Sequence, residues 1–157
     1  MEKDKKYAYW INGRSSDSEN SKQDYKNDIH SNSNNICYNK AKYVAIKSGQ
    51  LCQRLAKKND YVILNNYLTQ LVRSSSSIYA NYCEGNASLI TTKDRISKFN
   101  ISLKEAEETL AWLNILYGLK EISQEEYDAI TNQTIEIIKI LSKAILTMKK
   151  NQALKNL

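Results

Sequence analysis

From Ile36 onward, apolar and small residues recur at alternating steps of four and three. That spacing keeps them on one face of an α-helix. The first such seam is Cys37, Ala41, Val44, Ser48, Leu51 and Leu55, and it predicts a helix over residues 36–58. A second helix starts after Asn59-Asp60, residues suited to the N-cap, with the seam Leu64, Leu68, Leu71, Ser75, Ile78 and Tyr82. A third begins near Thr91 or Thr92. Its seam is Ile96, Phe99, Leu103, Ala106, Leu110, Leu113 and Tyr117, with Gly118 as its C-terminal cap. The fourth opens on the capping box Ser123-x-x-Glu126, with the seam Tyr127, Ile130, Thr134, Ile137, Leu141, Ala144 and Met148. Four heptad-like stripes joined by short connections predict an all-α fold: an antiparallel, up-down-up-down four-helix bundle. Ile135, Ile138, Ile140 and Ile145 widen the apolar surface of the last helix beyond one seam. An apolar face of that width predicts burial against another subunit.

Residues 1–35 lack this periodicity. They are rich in Ser, Asn, Asp and Lys, and predict a polar N-terminal extension, disordered or loosely docked, ahead of a bundle over 36–157. Tyr7-Ala8-Tyr9-Trp10-Ile11 is its one aromatic cluster, either a docking peptide or an incidental patch. The chain of 157 residues is long enough for one domain with a core, and the absence of Pro and the presence of only four Gly favour long helices. No apolar run approaches the ~20 residues of a membrane span, and no signal peptide is evident. With three cysteines, Cys37, Cys52 and Cys83, and no CxxC spacing, the expectation is reduced thiols packed in helices of a cytoplasmic protein.

Charge separates the two parts. The net charge is +6. Residues 1–35 hold six basic and six acidic side chains, whereas 36–157 hold 17 and 11, so the excess belongs to the bundle. Residues 36–58 carry six basic groups and 137–157 carry five, neither with an acid. Lys40, Lys47, Arg54 and Lys58 form a stripe on the first helix, and Lys139, Lys143 and Lys150 a similar one on the fourth. First and fourth helices are neighbours in an antiparallel bundle, so the stripes are expected to merge and attract a polyanion. With no base-reading motif, the contacts would be to backbone phosphates of RNA or DNA, largely independent of sequence.

The stretch from Arg73 to Tyr117 adds a second kind of signal. It contains Arg73-Ser74-x-x-Ser77-Ile78, then Ala80-Asn81-Tyr82-x-Glu84-Gly85-Asn86. After a polar turn come Lys93-Asp94, Phe99 and Lys104-Glu105-Ala106-x-Glu108-Thr109-Leu110-x-Trp112-Leu113. In order and spacing these residues resemble the bacterial four-helix-bundle proteins of the ribosomal-RNA intervening-sequence family, which includes the accessory variability protein of diversity-generating retroelements. The resemblance does not reach residues 1–35. It implies a four-helix bundle assembled as a closed homo-pentameric ring. It also implies an adaptor role, a basic ring that holds a reverse transcriptase.

Within this stretch Arg73, Asn81 and Glu84 fall on one face of the second helix, Arg73 and Glu84 about three turns apart. They are expected to form a polar network with Glu105 or Glu108 of the third helix that fixes register, or else a polar surface for RNA, DNA or a protein. Ser74, Ser75, Ser76 and Ser77 read as small side chains that let a neighbouring helix approach. Gly85-Asn86 reads as the end of the second helix, since both residues tolerate left-handed backbone angles.

Candidate catalytic chemistry is sparse. The lone histidine, His30, lies in the extension, and there is no P-loop, GxGxxG or nucleophile elbow. A ferritin-like di-iron site needs Glu-x-x-His pairs facing the core, and no helix supplies the histidine. A zinc site lacks ligands. The sequence therefore predicts no enzyme, cofactor or metal. It predicts a basic homo-oligomeric scaffold that binds nucleic acid. The alternatives are an adaptor for a reverse transcriptase or other nucleic-acid enzyme, and a purely structural oligomer.

Overall fold

The four seams close on one another in a computed structural model of the chain that describes residues 35–57, 62–87 and 89–155. The helices are α1 (Ile36–Ala56), α2 (Val62–Gly85), α3 (Thr92–Gly118) and α4 (Gln124–Lys155). The N-terminal extension with its Tyr7–Ile11 cluster, Lys58 and the Asn59-Asp60 cap lie outside the described residues. α2 packs on α1 and α3, and α4 packs on α3 and α1, while the diagonal pairs do not meet. This is the square contact pattern of an antiparallel bundle with short connections.

Every predicted seam residue of α1 and α2 is buried. Cys52 joins the core from α1 and Ser74 from α2. On α3 the inward line differs from the apolar pattern. It runs Ile96, Phe99, Ser102, Ala106, Thr109, Leu113 and Leu116, while Leu103 and Leu110 lie half-buried on its flank and Tyr117 is exposed. Hydrogen bonding makes the hydroxyls acceptable there. Ser102 Oγ donates to the Ile78 carbonyl at 2.9 Å, and Thr109 Oγ1 lies 2.8 Å from the Glu105 carbonyl and 2.9 Å from Ser74 Oγ. A buried hydroxyl with partners costs little, and its small volume lets α2 and α3 approach closely.

The same proximity accounts for Gly85. A Cβ on this residue would lie 2.6 Å from Phe99 Cδ1 and Cε1. The phenyl ring in turn stacks on Tyr82, centroids 5.4 Å apart. Gly85 thus answers a close helix approach and not a left-handed backbone. Lys120 (φ 60°) is the one non-glycine residue with positive φ among those described, and no described glycine has positive φ. α3 runs to Gly118 with Leu119, not Gly118, as its C-cap, and Lys120 takes the left-handed position that follows. The Lys120 amide donates to the Tyr117 carbonyl at 2.9 Å and the Glu121 amide to the Leu116 carbonyl at 3.0 Å, the bond pair of a Schellman motif.

Helix starts follow the sequence closely. Thr91 caps α3, its hydroxyl accepting from the Asp94 amide at 3.1 Å. The Ser123 box is reciprocal: the Glu126 amide donates to Ser123 Oγ at 3.2 Å, and the Ser123 amide donates to Glu126 Oε2 at 3.0 Å. On α4, Ile130, Thr134, Ile137 and Leu141 are buried, with Tyr127, Ala144 and Met148 half-buried around them. Ile145, expected on an outward apolar face, lies in the core at 5% exposure. Ile138 and Ile140 pack against the core margin and Ile135 is half-buried. The chain uses most of the surplus apolar width of α4 itself, because this face meets both α1 and α3. Leu146 and Leu154 remain outside.

Candidate nucleic-acid interface

α1 and α4, the helices that carry the two basic stripes, pack side by side, and two stripe residues of α1 bond across to α4. Lys40 is half-buried, and its ammonium donates to Gln133 Oε1 of α4 at 2.8 Å. Arg54 reaches Glu126 of α4 at 2.5 Å. Glu126 therefore has two tasks, one oxygen holding Arg54 and the other capping its own helix. Lys139 lies 2.8 Å from Glu136, and this contact holds the Glu136 carboxyl below its ordinary value, with a smaller pull from Lys40 across the helix boundary. Segments free of acids in the sequence thus acquire Glu126 and Glu136 from the first half of α4.

What stays available to solvent is a subset of the predicted stripe. Lys47 is exposed, its ammonium 5.8 Å from the centroid of the Tyr43 ring four residues earlier. Lys139, Lys143 and Lys150 are exposed, as are Lys42, Lys57, Lys149 and Lys155 beside them on the same two segments. Lys40 and Arg54 fasten α1 to α4 in addition to any ligand role. A groove of about 340 Å³ opens between the two helices, lined by Tyr43, Lys47, Gln50, Arg54, Glu125 and Ala129 over a floor of Leu51 and Ile130. Neither Tyr43 nor the groove is legible from charge spacing. The Tyr43-x-x-x-Lys47 step of four was the available signal.

The motif residues of α2 and α3 form a separate arrangement. The Arg73 guanidinium pairs with Glu108, lies 3.7 Å from Glu105, and donates through Nε to Gln70 at 3.0 Å. Trp112 Nε1 donates to the same Glu108 oxygen at 3.1 Å. The indole bond above all, and then Arg73, holds the Glu108 carboxyl below the usual carboxylate value. The Trp112 ring in turn packs on Tyr67, centroids 6.0 Å apart. Glu84 is elsewhere, paired with Lys98, and Asn81 donates back to Ser77 within α2 at 3.0 Å. Of the five residues expected in one network, three (Arg73, Glu105 and Glu108) come together; Asn81 and Glu84 make contacts of their own. The serine run divides in the same way. Ser74 and Ser75 face the core, and Ser76 is exposed, bonded to the Val72 carbonyl at 2.7 Å.

The thiols are packing groups. Burial pushes Cys37 up to about 12 and Cys52 up to about 11, far from the thiolate form at neutral pH. Among the described residues no group of three or more His, Cys, Asp and Glu side chains is placed to hold a metal ion, and no helix is long and apolar enough to cross a membrane.

Comparison with known proteins relates the chain to a sequence family and to a solved structure. The sequence model of the family described as "23S rRNA-intervening sequence protein" matches residues 33–143. A crystal structure from Bacteroides thetaiotaomicron, described as a protein with unknown function from the S23 ribosomal protein family, is 34% identical. It superimposes with a TM-score of 0.63, and the match covers 69% of this chain and 97% of that one. No curated protein matches the chain.

Proposed function

Because the chain belongs to the 23S rRNA-intervening sequence protein family, we propose that it is a non-catalytic, basic, homo-oligomeric scaffold that binds RNA or DNA through backbone phosphates. The observation that carries this reading is the packing of α1 on α4, which makes neighbours of the two helices that bear the exposed lysines. Lys40 bonds to α4 at Gln133, and Lys47 on α1 and Lys139, Lys143 and Lys150 on α4 are exposed. Phosphate binding needs clustered, mobile cations and no particular base geometry, and exposed lysines supply that. Assembly multiplies the contacts. Leu146 and Leu154 of α4, 68% and 61% exposed, are apolar surface that a neighbouring subunit would cover, and the family resemblance gives a closed pentamer as the form of assembly.

The test must spare the residues that hold α1 to α4. Lys47, Lys139, Lys143 and Lys150 are replaced by Gln, leaving Lys40 and Arg54 in place. Affinity for RNA and for duplex DNA is then titrated against salt, with circular dichroism as the folding control. The expected result is weaker binding for all sequences alike and a shallower salt slope, because fewer counterions are displaced. Light scattering of the wild type should give a multiple of 18.1 kDa. Equal affinities and equal slopes would reduce these lysines to a solvated face. The adaptor for a reverse transcriptase or other nucleic-acid enzyme would then be preferred. Its support is the adjacent Val62 and Ile63 at the start of α2, 76% and 68% exposed.

A further inference from the structure

We propose that the groove between α1 and α4 takes up one unpaired nucleotide of a single strand lying across the basic face, an inference that rests on the nucleic-acid reading above. Its size of about 340 Å³ falls within the range of small-ligand sites. Its wall includes the Tyr43 ring, 38% exposed. A nucleobase stacks on such a face whatever its identity.

The charges of the groove select the same occupant. Lys47 and Arg54 stand against Glu125 and Glu126. A simple anion entering here meets two carboxylates, and a simple cation meets two basic groups. A nucleotide carries both kinds of demand. Its phosphate is an anion and suits Lys47, whose ammonium lies over the Tyr43 ring, 5.8 Å from the centroid, and would move to the phosphate as the base takes the ring face. Its base edge offers N–H donors and suits the free Glu125 carboxylate and the Gln50 amide. Arg54 and Glu126 neutralise one another at 2.5 Å and close the wall between them.

A duplex keeps its bases paired and stacked, so it gains nothing from Tyr43. The proposal therefore predicts a preference for single strands over duplex of equal length, superimposed on a charge attraction common to both. Tyr43→Leu should lower single-strand affinity about tenfold. Duplex affinity and both salt slopes should stay as they were, since no charge is removed. Tyr43→Phe should retain single-strand affinity. Three results would overturn the proposal: no loss in Tyr43→Leu, equal loss for single strand and duplex, or a free mononucleotide binding as tightly as the strand. Circular dichroism checks that each variant is folded. If the wild type binds neither form of nucleic acid, the scaffold reading fails and the groove proposal with it. If the wild type binds both with the expected salt slope and Tyr43→Leu is indistinguishable from it, only the groove proposal fails.

Discussion

Glu108 shows how one side chain can tie two helices together. It accepts from the Trp112 indole one turn along α3 and pairs with Arg73 of α2, and the indole leans on Tyr67. Both contacts favour the ionised carboxyl, so its folded value lies below the usual 4.5. The stability it contributes is therefore complete above the ordinary carboxylate range and disappears as the pH falls through the lowered folded value. Glu108→Gln should destabilise the bundle at neutral pH and remove that share of the acid dependence. Denaturant midpoints of wild type and variant, measured from neutral to acid pH, should converge as pH falls. The side chain is part-exposed, so the effect belongs with the modest values of surface ion pairs. Parallel curves at every pH would show that the carboxyl is bystander to folding. The motif suggested that Arg73 would meet Glu105 or Glu108. The indole bond was not visible in it, because spacing alone does not say which way Trp112 turns its N–H.

At the scale of the helix, apolar periodicity located all four elements and placed six inward residues on each of α1 and α2, missing Cys52 and Ser74. It misplaced half of α3, where Ser102 and Thr109 face inward ahead of Leu103 and Leu110. Hydrophobicity ranks a leucine above a threonine, but the fold gives the hydroxyl its partners and gains close approach to α2. Leu113→Ala, at 0% exposure, should cost about 2–5 kcal/mol, whereas Leu110→Ala on the flank should cost about 1 kcal/mol. Urea unfolding of the two variants checks the order, and equal costs would return Leu110 to the core. The helix ends teach the same lesson. The capping box was legible because Ser and Glu do chemistry at fixed offsets. The Schellman end at Lys120 was not, because the chain places a lysine where glycine is the usual choice. The candidate interface was half legible: charge spacing gave the stripes, but Gln133, Glu126 and Glu136 were invisible as partners until α4 lay beside α1.

Across the whole molecule, the interhelical bonds of the core are unequally shared. Ser102 to Ile78 and Thr109 to Ser74 both join α2 to α3. Among the described residues, the buried hydroxyls of Ser48 on α1 and Thr131 on α4 find no protein partner, and Lys40 and Arg54 tie α1 to α4 through part-buried contacts at the core margin. The bundle therefore has a locked side and a looser side. Native-state motion should begin by parting α1 from α4 while the α2–α3 pair holds, since regions with few buried polar ties open at lower free energy. Hydrogen exchange should show slower amides in the middle of α2 and α3 than in α1, and uniform protection would refute the ordering. α1 and α4 are also the helices that carry the two basic stripes. A polyanion laid across them would act as a splint, bridging the two helices that part most readily and raising protection there before anywhere else.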